Sequence, residues 1–244
     1  MKTILLKFAG PLQSWGTDSH FETRYTDFYP SKSAVLGLLA ASLGYRRDED
    51  EKIQKLNDIN FAVRVDQKGN LLRDYQIAQK FKGEKFDRNY VTNRYYLEDA
   101  VFLVGLEGAD DLMDQIEDAL RNPYFQQFLG RRSVPVQADF IVGVSDLDLI
   151  ESLEKFSWQA SQWYKKENKK KKFVDLELWA DGNLLEKGNI NYRKDYVKSF
   201  SQKNRDFGLR SEKRKIIKVS NDMFENIYEE FDAFGAIGGS DVSI

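Results

Sequence analysis

Apolar residues recur along this chain with two different periods, and the changes of period mark its elements. Between residues 2 and 9, Ile4, Leu6 and Phe8 fall on one side of a strand and Lys7 on the other. From Gly10 to Pro30 the pattern lapses for about twenty residues, a length that in compact domains usually marks a functional loop. Pro30 confines Tyr29 to extended geometry, and the period then becomes helical. Val35, Leu38, Leu39 and then Ser42 or Leu43 share a face over 31–43, and Gly44 can close the helix in a left-handed conformation. Phe61, Val63 and Val65 alternate with Arg64 and Asp66, which predicts a strand over 59–66 with one wet face. Gly69-Asn70 makes a turn into a second strand of that hairpin over 71–79. Over 80–96 core periodicity is lost, and Lys80, Lys82, Lys85, Arg88 and Arg94 interleave with Phe81, Phe86, Tyr90, Tyr95 and Tyr96. That composition suits a projection better than a core strand. A buried strand follows over 100–106, then a helix over 111–121 burying Leu112, Ile116, Ala119 and Leu120.

The order β, α, β, β, projection, β, α predicts an α+β chain with a ferredoxin-like or RNA-recognition type of core, an antiparallel sheet with helices on one face. After Pro123 comes a polar and aromatic loop containing Arg131 and Arg132, then a strand over 139–144. A lysine-rich stretch at 165–172, most simply a solvated loop, is followed by short strands at 176–179 and 216–219. The expected division is therefore residues 1–144 as the RNA-recognition-like part and 145–244 as a smaller, mostly β subdomain.

Composition narrows the chemistry. Hydrophobic residues at 41% with only four prolines indicate an ordered globular chain. The lack of cysteine removes disulfides and zinc–thiolate sites, and a single histidine, His20, removes any multi-histidine site, so no metal or cofactor is expected. The longest strongly apolar run, 34–44, is far below the roughly 20 residues of a membrane span. Lys7 interrupts the apolar start, so no signal peptide is expected and a cytoplasmic location is. A net charge of −2 counts against a nucleic-acid partner, but the acids cluster at 48–51, 110–118 and 229–232, which leaves room for a local positive groove.

Ser31, Lys32 and Ser33 open the first helix, where unpaired N–H groups and the helix dipole favour an anion. They read either as a cap that solubilises the helix start or as a phosphate seat. Trp15 either braces the long loop or stacks on a base, while Gln13 and Ser14 are expected to face RNA and Arg24 to reach the same phosphate path. Arg131 and Arg132 are either an exposed turn or a pair of phosphate-binding forks. Arg46 and Arg47 lie beside an acid run that can neutralise them. On the projection, rings beside cations make a stacking platform.

Four blocks in order across the first 136 residues, LLKFAGPLQSWG, RYTDFYPSKSAVLGLLAASLGYRRDE, LRDYQ with RYYLEDAVF, and LGRRSVP, resemble the CRISPR-associated family-five proteins, the 5′-handle-binding subunits of type I-E Cascade complexes. GGSDVS near the C-terminus is a weaker echo. The resemblance implies an RNA-recognition-like core with a thumb hairpin near 77–97, carrying Lys80, Phe81, Lys82, Phe86, Arg88, Arg94 and Tyr95. It implies a non-catalytic subunit of antiviral defence that grips the crRNA 5′ handle beside the CasC backbone and the large CasA subunit, with target DNA passing near the thumb. It favours a phosphate seat at Ser31, Lys32 and Ser33 and an RNA-facing pair at Arg131 and Arg132. Some relatives outside type I-E cut precursor RNA with a histidine beside a lysine. His20 has Ser19 and Phe21 as neighbours, so a metal-independent endoribonuclease is the alternative rather than the expectation.

Overall fold

The computed structural model of the chain describes residues 1–16 and 22–225. Along the chain it forms β1 (Lys2–Ala9), β2 (Leu12–Gln13), β3 (Thr23–Arg24), α1 (Lys32–Ser42), α2 (Asp50–Lys55), β4 (Asn60–Gln67), β5 (Asn70–Lys82), β6 (Lys85–Glu98), β7 (Val101–Gly108) and α3 (Asp110–Arg121). These are followed by β8 (Ile141–Ser145), α4 (Leu149–Lys155), α5 (Gln162–Glu167), β9 (Phe173–Asp181), β10 (Ile190–Ser199) and β11 (Asp206–Ser220). Among the described residues, a seven-stranded antiparallel sheet runs in the order β10–β11–β9–β4–β7–β1–β8. No helix of the described residues is long and apolar enough to cross a membrane.

The period-two pattern of β1 sorts its side chains between two cores. Ile4, Leu6 and Phe8 pack with Phe61, Val63, Phe102 and Val104 beneath α1 and α3. Leu5 faces the other way and packs with Ala62, Leu103 and the α4 residues Leu149 and Leu153. The expected helices on one face are α1 and α3; α4 covers the opposite face, approaching so closely that a Cβ on Gly105 of β7 would meet Leu149 Cδ1 at 2.4 Å. In α3, Asp110 and Asp111 occupy the first turn and Arg121 the last, matching the helix dipole at both ends.

Two expectations for β4 change. Its partners are β7 and β9, while β5 leaves the large sheet to pair with β6, so the anticipated β4–β5 hairpin does not form. Its wet face is also dry. Arg64 and Asp66, both fully buried under α4, form a two-pronged ion pair at 2.6 and 2.7 Å. The guanidinium also donates to the carbonyls of Leu153, Phe156 and Ser157, and Gln159 N–H donates to Asp66. A buried charge pair is tolerable only when its remaining donors and acceptors are filled in this way.

The strands beyond residue 145 extend the same sheet. β9 pairs with β4 and carries β11 and then β10 at the edge, so residue 144 is not a break in the sheet. Beside it stands a second, small sheet, in which β6 takes β2 and β3 at its base and β5 along its length. The β5–β6 hairpin runs from Asn70 to Glu98 and turns at Gly83, so the projection starts earlier in the chain than the loss of core periodicity indicates. The lysine-rich stretch at 165–172 spans the end of α5 and the turns after it, with Lys165 and Lys169 paired to Asp222 and Glu225.

Candidate nucleic-acid interface

The start of α1 does hold an anion, and that anion belongs to the protein. Ser31 caps the helix by accepting from Ala34 N–H, and Lys32 N–H donates to Asp195 Oδ2 at 2.9 Å. The Lys32 ammonium is buried and donates to Asp181 Oδ2 and to the Asn57 carbonyl, both at 2.9 Å. Arg210 of β11 closes the cluster. Its Nε and Nη2 reach both oxygens of Asp195 at 2.8 and 2.9 Å, Nη1 reaches Asp181 at 2.9 Å, and Nη2 also reaches Glu212 at 2.8 Å. Burial pulls the Arg210 guanidinium down, but Asp195, Asp181 and Glu212 together outweigh it and hold it above its ordinary value.

This burial corrects the phosphate-seat reading. Lys32 is 5% exposed and Ser31 1%, with Ser31 Oγ turned to Ala34 N–H and to Ser33 Oγ at 3.3 Å. The loop residues Gln13, Ser14 and Trp15 are also buried rather than RNA-facing. Gln13 Nε2 donates to the Ala100 carbonyl at 2.7 Å, its Oε1 accepts from Trp15 Nε1 at 3.1 Å, and Ser14 Oγ donates to the Tyr95 carbonyl at 3.2 Å. Trp15 stacks on Phe8 with ring centroids 5.4 Å apart, so it braces the loop. His20 lies outside the described residues.

A different set of cations is open. Thr23 and Arg24 add a short parallel strand to β6, with Arg24 opposite Arg94 in the register. Arg131 reaches over from the loop after α3 and donates through Nη2 to the carbonyls of Arg24 and Tyr95 at 3.2 and 3.1 Å. Its guanidinium lies 4.2 Å from the Tyr96 ring centroid in a cation–π contact. Arg131 Nη1 and Arg94 Nε are buried atoms without a hydrogen-bond partner among the described residues. Asp74 lies across from Arg94 on β5, but its carboxylate accepts from Gln76 Nε2 at 2.7 Å. Arg24 and Arg94 line a cavity of about 150 Å³ together with Gln76, Ile77, Ala78 and Thr92. On the other face of β6, Tyr25 stacks on Tyr95 at 5.4 Å, with Tyr25 exposed. Arg132 is exposed in the same turn as Arg131.

The turn is held by backbone. Ser14 N–H donates to the Leu129 carbonyl and Leu129 N–H to that of Val134, at 3.2 and 2.7 Å. Gly130 sits at φ +83°, where a Cβ would meet the Ser14 carbonyl oxygen at 1.6 Å. Only glycine lets the arginine turn lie this close to the first loop.

Out along the hairpin, Lys80, Phe81, Lys82, Phe86 and Arg88 are all exposed. Phe81 and Phe86 meet edge to face at 5.9 Å across the tip. Lys80, Lys82 and Arg88 lie 3.9, 3.5 and 3.7 Å from Asp87, which offsets part of their charge. Arg46 and Arg47 are exposed past the far end of α1, and no hydrogen bond or ion pair among the described residues joins them to Arg24, Arg94 or Arg131. Of the residues expected to bind RNA, Arg24, Arg131 and Arg132 lie together, and Arg94 and Tyr95, expected on the thumb, stand at the base of the hairpin against them. Tyr25 joins them without having been singled out, although it stands next to Arg24 in an aromatic-basic block. Asp181, Asp195 and Arg210 carried no local signal, because their roles depend on strands far away in sequence.

The similarities to known proteins fit this geometry. The profile of a family described as CRISPR-associated protein (Cas_Cas5) matches residues 3–211. The chain is 35% identical over 156 residues to the CRISPR system Cascade subunit CasD of Escherichia coli strain K12, covering 57% of this chain and 70% of that protein. A chain of a CRISPR RNA-guided surveillance complex superposes with a TM-score of 0.74 at 28% identity, over 91% of this chain and 92% of its own. The structure titled "Crystal structure of Cas protein" matches with a TM-score of 0.61 at 34% identity, over 91% and 97% of the two chains. With a family match across most of its length and a near-complete structural counterpart, the chain belongs to the CRISPR-associated Cas5 family.

Proposed function

We propose that the chain is a non-catalytic guide-RNA-binding subunit of a type I-E CRISPR surveillance complex, gripping the crRNA 5′ handle and capping the backbone filament. The observation that carries this reading is the pair of unused buried donors, Arg94 Nε and Arg131 Nη1, with the stacked Tyr25 and Tyr95 on the opposite face of the same strand β6. Buried donors are nearly always paired, so two left open at the base of the hairpin call for an anion from outside the chain. A phosphodiester supplies it, and the exposed tyrosine supplies a stacking face for a base. Arg24 and Arg132 add charge along the same path. The similarity to a Cascade subunit and to a chain of an RNA-guided complex supports RNA as the guest rather than a small anion.

In this reading the complex is cytoplasmic, a CasC-type backbone subunit and a CasA-type large subunit are the protein partners, and the β5–β6 thumb lies where guide meets target DNA. The start of α1 supports the site from within instead of touching RNA. Replacing Arg94 and Arg131 together by Gln in the assembled complex is expected to lower the occupancy of bound guide RNA. Full occupancy in that variant rules the site out.

A further inference from the structure

The segment 22–30 carries Arg24 at one end and is held at the other by a strand from the far edge of the large sheet. Arg193 of β10, its side chain 10% exposed, donates through Nη2 to Asp27 Oδ2 at 2.5 Å and to the Tyr29 carbonyl at 3.3 Å, and through Nη1 to the Pro30 carbonyl at 3.5 Å. Its guanidinium also lies 4.5 Å from the Tyr29 ring centroid. Tyr29 in turn stacks on Trp179 at 4.8 Å and donates to Glu212 at 2.7 Å. Burial first, and then this bond to Glu212, push the Tyr29 phenol well above its ordinary range, so it remains a donor. Asp27 N–H is bonded to the Trp15 carbonyl at 3.3 Å, which brings the first loop into the same clamp.

Arg193 makes no contact with Arg24, Arg94 or Arg131, yet it fixes the chain three residues away from Arg24, within roughly 10 Å even if fully extended. We infer that Arg193 is a positioning residue for the RNA seat: by holding Asp27 and the carbonyls of Tyr29 and Pro30, it sets where Arg24 presents its charge. This inference rests on reading Arg24, Arg94 and Arg131 as that seat. The C-terminal strands thereby set the geometry of a site they do not touch. A surface arginine that merely added charge would not be sequestered against three acceptors and a ring.

The test uses the full chain and a single-stranded RNA probe with the 5′ sequence of the guide recovered from the complex, titrated at several salt concentrations. Arg24→Gln is expected to weaken binding by about tenfold, the size of one charge-assisted hydrogen bond, and to lower the salt slope by about 0.7. Arg193→Gln should reproduce both changes, the double variant should bind no more weakly than either single one, and Arg193→Lys should recover part of the loss. Asp27→Asn weakens one of the three anchors from its less buried side, and it should shift affinity and salt slope in the same direction as Arg193→Gln by a smaller amount, which keeps the test open if that variant folds poorly. Wild-type affinity in Arg193→Gln and Asp27→Asn with a loss in Arg24→Gln overturns the positioning role and leaves the seat standing. Additive losses in the double variant also overturn it, because Arg193 would then act on RNA by another route. Unchanged binding in Arg24→Gln, Arg94→Gln and Arg131→Gln overturns the seat and the inference together.

Discussion

Arg210 and Arg131 carry the same guanidinium and meet opposite surroundings. Each of the three nitrogens of Arg210 ends on a carboxylate of Asp195, Asp181 or Glu212, and the same carboxylates take up Lys32 at the start of α1. Arg131 lies on Tyr96 and spends one nitrogen on two carbonyls, while its Nη1, like Arg94 Nε, stays unused. A charge cluster with every donor matched internally is architecture, since breaking it strands buried charge. One that buries donors without acceptors is preorganised for a guest. The two clusters separate what holds this fold together from the seat proposed above for RNA, although residue type alone makes them look alike.

That separation is breakable by substitution. The largest effect is expected from Arg210→Ala, which leaves Asp181, Asp195 and Glu212 buried without their common partner. Urea unfolding should show a loss of about 3–5 kcal/mol, whereas Arg94→Ala should stay within about 0.5 kcal/mol of the parent. Similar losses in the two variants would erase the distinction. Next comes Gly130→Ala, where the left-handed backbone alone costs about 1–3 kcal/mol and the Ser14 carbonyl, which the new Cβ would meet at 1.6 Å, must also be displaced. Its RNA affinity should fall as well, because the turn that presents Arg131 moves. Arg94→Gln and Arg131→Gln should each weaken RNA binding by about tenfold and flatten its salt dependence, with melting temperatures close to the parent.

The smallest effect belongs to a half-buried pair between β1 and α3. Lys2 and then Arg121 hold the Glu117 carboxyl below the usual carboxylate range. Because its folded value is depressed, the pair contributes stability above the ordinary carboxylate value and loses it as pH falls through the folded one. Glu117→Gln should flatten the acid limb of a stability–pH curve by less than about 1 kcal/mol. A larger change would mean that such pairs carry weight here comparable to the buried cluster.

Local periodicity made β1, α1 and α3 legible, since each buries its own stripe and closes with its own cap or end charges. It could not choose partners. The alternation of Phe61, Val63 and Val65 identifies a strand but does not say that β7 and β9 flank it, and it misreads Arg64 and Asp66 as wet because a pair can satisfy itself in the dark. The anion seat at α1 was correct in its physics and wrong in its guest: Asp181 and Asp195 arrive from strands 149 and 163 residues away from Lys32. Arg24, Arg131 and Arg132 stand out in the sequence as basic residues in glycine- and tyrosine-containing loops. Arg193 does not, since its partners lie on a loop 163 to 166 residues earlier.

The measurement that bears most directly on this account is a residue-level crosslinking map of guide RNA on the assembled complex. It should place crosslinks on Tyr25 and Tyr95 and in the turn of Arg131 and Arg132, and none on Ser31, Lys32 or Ser33. Crosslinks concentrated at the start of α1, with Tyr25 and Tyr95 silent, would contradict it.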